Sequence, residues 1–241
     1  MIKNFLRNRL RKTGFDIIHY KDTLGRFILD DIGKYIKFGN PLIFDVGANT
    51  GQSVKGFIEK FPDATIHSFE PSAETFEILR QNVSTNKNVN IWNFGLGSAN
   101  EEKRFFENNN SDMSSFLALG EFGWGKIIKE TVIPIMTIDQ FCLDHQITKI
   151  DLLKIDTQGY DFEVIKGAEK MISENKVGLL YFEIIFSSQY EGLPPFSQIM
   201  SFLENHNFCL VTLYPFAYQK KLASWTNGLF IHKSYMRKNF S

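Results

Sequence analysis

At 241 residues the chain suits one large domain, and its 43% hydrophobic and 22% charged residues belong to a folded globular protein, not a disordered one. Lys+Arg 27 balance Asp+Glu 27, so no cationic excess is present to neutralise a phosphate backbone, which argues against nucleic acid as a partner. The only cysteines, Cys142 and Cys209, sit among apolar neighbours, which excludes a disulfide scaffold and fits a reducing cytoplasm.

Residues 1–40 differ from the rest. MIKNFLRNRLRK is basic but lacks the apolar stretch of a signal peptide. No segment reaches the ~18 apolar residues of a membrane span. Lys3, Arg7, Arg9, Arg11 and Lys12 read as a solvated helical face, and they also permit peripheral contact with an anionic membrane surface or acidic glycan. Phe27, Ile28, Ile32, Tyr35 and Ile36 recur at helical spacing. One or two helices packed on the main domain are expected, as an extension over 1–40 preceding a domain over 41–241.

From Pro41 strands and helices alternate. PLIFDV is a buried strand, and SVKGFIEKF is the helix after it. TIHSFE is a second strand; SAETFEILRQNV follows as a helix, with Ser72 as N-cap and Glu74 in the first turn. VNIWNFGLG is a third strand. KRFFENNNSDMSSF reads as an exposed loop after an edge strand, and GEFGWGKIIKE as a glycine-punctuated insertion. VIPIMTIDQFCLDHQ is a short strand entering a helix. IDLLKID is a fourth core strand, DFEVIKGAEKMISEN a helix, VGLLYFEI a fifth strand and PPFSQIMSFLENHN a helix. FCLVTLY and NGLFIHK lie too close together for a helical crossover, so they pair antiparallel as the last two strands. The pattern predicts an α/β, doubly wound, seven-stranded sheet, mostly parallel with one antiparallel C-terminal strand.

Ligands collect at the carboxyl ends of strands in such sheets, which places the loop of FDVGANTGQS in the site. Gly47 and Gly51 let the backbone approach a ligand, and the next helix presents free N–H groups suited to a carboxylate or phosphate. Neither GxxxxGK[ST] nor GxGxxG is present. Asp45 before the loop repels a pyrophosphate and welcomes an ammonium. Glu70, in SFEP at the tip of the second strand, suits ribose hydroxyls. A ribose, a cation and a carboxylate in one ligand describe S-adenosylmethionine.

FDVGANTG, SFEP, NFGLGS, IPIMTIDQF, LLKIDTQGYDFEVIKGA and NGLFIHK, in this order and spacing, resemble the FkbM family of S-adenosylmethionine-dependent methyltransferases across about residues 42–233. The resemblance implies a class I methyltransferase (Rossmann-like) fold and methylation of a hydroxyl on a sugar, glycan or related small molecule. It implies that Asp45, Gly47, Asn49 and Gly51 hold the methionine end, that Glu70 with Pro71 meets the ribose, and that Gly95 and Leu96 lie by the adenine. Many members carry Glu where this chain has Gln158, so position 158 receives no acid–base role.

A sugar hydroxyl needs a general base or a metal before it attacks. Asp156 is the first candidate, as base or metal ligand. Lys154 sits two residues before it, and Glu183 on the fifth strand faces the same cleft; Asp156 with Glu183 would favour Mg²⁺ or another divalent cation. Lys154 and Asp156 forming a structural ion pair is the competing reading. Ser114, Ser115, Phe122 and Trp124 are candidates for an acceptor-side lid. The five histidines form no zinc cluster. The alternatives are a non-catalytic S-adenosylmethionine- or glycan-binding protein and, less favoured, a nicotinamide-dependent oxidoreductase.

Overall fold

A computed structural model describes residues 7, 9–16, 23–36 and 39–240. Of the basic N-terminal residues, Lys3 lies outside the described residues, while Arg7 and Arg11 both pair with Asp16 at 2.7 and 2.9 Å. Helix α1 (Ile28–Tyr35) buries Ile32 and carries Asp31 on the same inward side. That carboxylate is satisfied by Gly25 N–H at 2.8 Å, Lys34 at 3.0 Å and the Tyr214 hydroxyl at 3.2 Å. Phe27, expected to be on the buried stripe, is 54% exposed because it is the N-cap position and its backbone is extended.

The remaining elements, in chain order, are β1 (Leu42–Val46), α2 (Gln52–Lys60), β2 (Thr65–Phe69), α3 (Ala73–Val83), β3 (Val89–Trp92), β4 (Gly95–Leu96), β5 (Glu101–Asn108), β6 (Ile127–Met136) and α4 (Ile138–Asp144). Then come β7 (Ile150–Ile155), α5 (Asp161–Lys166), α6 (Glu169–Ser173), β8 (Val177–Ile185), α7 (Phe196–Asn205), β9 (Phe208–Leu213), β10 (Ala217–Gln219), β11 (Leu222–His232) and α8 (Lys233–Phe240).

The main sheet runs β3–β2–β1–β7–β8–β11, with β9 and β10 both paired to β11. Neighbours from β3 to β8 are parallel; β11 is antiparallel to β8, β9 and β10. This is the class I methyltransferase arrangement, a mostly parallel sheet with an antiparallel strand near its C-terminal edge. The sheet has eight strands, one more than expected, because Ala217–Gln219 inside the presumed connection pairs with the first part of β11.

Successive residues on the central strands feed opposite cores. Phe44, Leu153 and Leu180 pack with Phe69, Phe141 and Phe182 on one face. Ile43, Leu152 and Leu179 pack with Val54, Ile66 and Leu79 on the other. Burial on both faces is why these strands read as unbroken apolar runs.

Three expectations change. The third strand stops at Trp92, and Gly95–Leu96 belongs to a separate three-stranded sheet ordered β4–β6–β5. The presumed exposed loop over 103–116 is mostly strand β5 and a short 3₁₀ turn, Ser111–Met113, with Met113 and Phe116 buried. Asn108 explains the misreading: its side chain is a structural hub, donating to Trp124 O and accepting from Asn110 N–H and Lys126 N–H. Lastly, the helix expected over 161–175 breaks into α5 and α6 around Gly167, where an added Cβ would collide with the Gly97 carbonyl. Asp139 then caps α6 by accepting from Lys170 N–H and Met171 N–H at 2.8 and 2.9 Å.

Candidate active site

β1 lies between β2 and β7, with Val46 opposite Phe69 on one side and Ile155 on the other. Chain order reverses here, with β2 and β3 to one side and β7 and β8 to the other, so the loops leaving these tips diverge and open a crevice. A cleft of about 730 Å³ occupies that place, closed on its far side by the small sheet.

The 47–51 loop turns back sharply. Gly47 (φ +74°), Asn49 (φ +47°) and Gly51 (φ +93°) are left-handed, and Gly51 caps α2. An added Cβ at Gly47 would run into the Asp156 carbonyl, so only glycine lets the two strand tips sit this close. Gly47 N–H and Ala48 N–H both donate to Phe69 O at 3.0 Å, which ties the loop to β2.

Glu70 follows at the tip of β2. One carboxylate oxygen accepts from Asn49 N–H and the other from Ser72 N–H, each at 2.9 Å. The side chain is buried, and burial pushes its pKa up to about 7 against the pull of those two donors. Beyond it, Phe94, Leu96, Phe105 and Phe116 make an apolar end to the cleft, with Gly95 and Pro71 on the wall between. Asn49 Nδ2 donates to Asp112 Oδ1 at 2.9 Å, a clasp from the glycine loop to the 3₁₀ turn.

Asp45 and Lys154 are placed differently from expectation. Both are buried and neither is on the cleft wall; Lys154 Nζ lies 2.8 Å from Asp45 Oδ1 and donates to Gly47 O at 3.0 Å. Lys154 therefore braces the glycine loop from behind, while Asp45 Oδ2 has no hydrogen-bond partner among the described residues. Gly51, likewise, faces α3 near Leu79 and does not line the cleft.

Asp156 does line the cleft, with a side chain 45% exposed and 3.9 Å from Lys154. Gln158 Nε2 donates to Asp156 Oδ1 at 2.8 Å. Gln158 is itself held: Tyr190 donates to its Oε1 at 3.0 Å, Ser115 donates to its backbone carbonyl at 2.7 Å, and its φ is +56°. Ser114 also lines the cleft, but Phe122 and Trp124 do not; Trp124 packs on Trp225.

Glu183 does not line the cleft. It borders a separate hollow of about 250 Å³ with Gly159, Asp161 and Pro194. Burial, with the nearby charge of Asp156, pushes Glu183 well above the usual carboxylate range and Asp161 up to about 7. Asp161 Oδ2 accepts from Thr157 at 3.1 Å. No group of three metal-ligating side chains occurs among the described residues. Asp156 lines the cleft and Glu183 the hollow, and no third metal-ligating side chain completes a site with them among the described residues.

The clasp residue Asp112, the rings of Phe105 and Phe116, and Tyr190 escaped the sequence reading. Phe105 and Phe116 carried the one available signal, apolar residues inside a stretch otherwise polar enough to pass for a loop.

No helix among the described residues is long and apolar enough to cross a membrane. The 2-O-methyltransferase NoeI of Sinorhizobium fredii (strain NBRC 101917 / NGR234) is 24% identical over 221 residues, covering 87% of this chain and 88% of its own. Methyltransferase sdnD of Sordaria araneosa is 25% identical over 197 residues, covering 70% and 74%. The solved structure of M. capricolum TrmK with S-adenosyl-homocysteine aligns at a TM-score of 0.49 and 9% identity, over 88% of this chain and 70% of that one. The model of the methyltransferase FkbM domain matches residues 45–210, from the buried acid of β1 into β9. Since that span covers the glycine loop, Glu70, the small sheet and Asp156, the chain belongs to the FkbM methyltransferase family and is an S-adenosylmethionine-dependent methyltransferase.

Proposed function

We propose that this enzyme is an O-methyltransferase acting on a hydroxyl of a sugar, glycan or related small molecule. The observation that carries the donor site is Glu70, a buried carboxylate fixed by two backbone N–H groups and facing a cleft whose far end is apolar. The cleft fits the donor's two-sided chemistry: ribose hydroxyls would meet Glu70, the adenine would lie by Gly95, Leu96, Phe94 and Phe116, and the methionine end would meet Gly47 and Asn49. Asp45 and Lys154 would act on that end from behind, by holding the loop. When bound, S-adenosylmethionine supplies an electrophilic methyl on a sulfonium.

The chain's own contribution is orientation and a proton acceptor. Asp156 is the carboxylate at the β7 tip that is both anchored and accessible, and it would take the acceptor's hydroxyl proton. Gln158 fixes Oδ1, and Oδ2, 3.9 Å from Lys154 Nζ, would take the proton. The relative NoeI, named as a 2-O-methyltransferase, supports oxygen as the acceptor atom. No step is assigned to a divalent cation, because no group of three metal-ligating side chains occurs among the described residues.

We read residues 41–241 as the donor-binding domain and 1–40 as a helical extension tied to it through Lys60–Asp30 and Tyr214–Asp31. Two free thiols, Cys142 and Cys209, support a cytoplasmic location. The test is calorimetric binding of S-adenosyl-homocysteine, followed by mass spectrometry of glycoside acceptors for the gain of one methyl group. Absence of S-adenosyl-homocysteine binding would overturn the donor site; binding with methylation only of nitrogen or carbon acceptors would overturn the acceptor class.

A further inference from the structure

A second concavity lies beside the donor cleft. It is an open groove of about 1090 Å³ between residues 120–121 and the segment 185–196 that follows β8. The two are linked by hydrogen bonds: Tyr190 lines the groove and donates to Gln158 at 3.0 Å, and Gln158 lines the cleft and donates to Asp156 at 2.8 Å.

The groove has two kinds of wall. Phe186, 40% exposed, meets Phe196 edge-on at 5.5 Å and stacks on Phe216 at 5.8 Å. Phe216, 36% exposed, continues to Tyr218, 66% exposed, at 6.4 Å. Four rings thus form a strip running outward from the groove. Beside them Glu121 and Glu191 line the groove, exposed and without an ion pair or hydrogen bond to either side chain among the described residues.

We infer that this groove and its aromatic strip are the acceptor subsite, and that the acceptor is an oligosaccharide lying across Phe186 and Phe216 with hydroxyls donated to Glu121 and Glu191. The inference deepens the proposed function and rests on it. A pyranose has an apolar C–H face that suits an aromatic ring and a rim of hydroxyls that suits carboxylates. A wholly apolar occupant would strip water from both glutamates without replacing its hydrogen bonds. The four rings in contact make a continuous apolar strip larger than one pyranose face covers.

The test uses the full chain saturated with S-adenosyl-homocysteine on an array of immobilised mono- and oligosaccharides, with Phe186→Ala, Phe216→Ala and Glu191→Gln variants alongside. The expected result is oligosaccharide signal above monosaccharide signal, reduced at least tenfold in Phe186→Ala and several-fold in the other two, with S-adenosyl-homocysteine affinity unchanged in all three. No glycan signal from a protein that binds S-adenosyl-homocysteine overturns the groove assignment alone, as does full signal in the variants. Failure to bind S-adenosyl-homocysteine overturns the underlying function as well. A dimer on size exclusion that Phe186→Ala and Phe216→Ala both dissociate, with no glycan signal, overturns the inference by giving the strip to a second copy of the chain.

Discussion

Lys154 and Asp45 form a buried ion pair across adjacent strands, with 2.8 Å between Nζ and Oδ1. Burial alone would lower the Lys154 pKa; the charges of Asp45 and Asp156 raise it instead, so the ammonium stays charged. Removing one partner leaves the other charge stranded in an apolar interior. Lys154→Met is expected to cost about 3–5 kcal/mol in urea denaturation. Asp45→Asn combined with Lys154→Met should recover a large part of that loss, and a double variant no more stable than Lys154→Met would show that the pair is not what holds this region.

With Glu70 as the ribose ligand, donor binding is expected to depend on pH. Its pKa is raised to about 7 by burial, so near neutrality it is partly protonated in the free protein. Hydroxyls donating to the carboxylate favour the charged form and draw the pKa down. Affinity for S-adenosyl-homocysteine should therefore rise as pH climbs through about 7, with proton release visible in calorimetry across buffers of different ionisation enthalpy. Glu70→Gln should flatten the profile. The same shift acts on the free protein with opposite sign. The folded state keeps a proton that the unfolded chain loses near pH ~4.5, so stability declines as pH rises from about there towards 7.

Asp156 and Gln158 separate chemistry from binding. Asp156→Asn should leave S-adenosyl-homocysteine affinity within about twofold and lower kcat by roughly 10²–10⁴, the range for loss of a general base. Gln158→Leu removes the hydrogen bond that orients Asp156 Oδ1 and should lower kcat several-fold while KM for the donor stays put. An unchanged kcat would show that Gln158 does not position Asp156.

The clasp between Asn49 and Asp112 predicts a kinetic effect. Asp112→Ala removes one hydrogen bond closing the cleft, worth about 1 kcal/mol. Stopped-flow dissociation of S-adenosyl-homocysteine should quicken by roughly fivefold, with association nearly unchanged. Equal changes in both rates would show that the turn does not close over the ligand.

The glycine loop and Glu70 were legible because their signals are local. FDVGANTG and SFEP each place an acid or glycines at the end of an apolar strand, and the alternation of strands and helices supplies the rest. The contact between Tyr190 and Gln158 was not. Tyr190 and Gln158 are 32 residues apart and meet only because the segment after β8 folds back over the β7 tip. The small sheet stayed hidden because Asn108 and its neighbours carry a loop-like composition while serving as internal hydrogen-bonding groups. Lys154 misled for a related reason: a lysine near a strand end invites a catalytic reading, and only tertiary structure reveals that it points inward.

The position of β11 has a consequence for biosynthesis. β11 leaves the ribosome after both β8 and β9, yet it sits between them, not outside them. Until it emerges, β8 presents an open hydrogen-bonding edge and β9 lacks its neighbour. Closure of that half of the fold must therefore wait for Leu222–His232, and a nascent polypeptide arrested after Tyr214 would expose a sticky, chaperone-dependent flank.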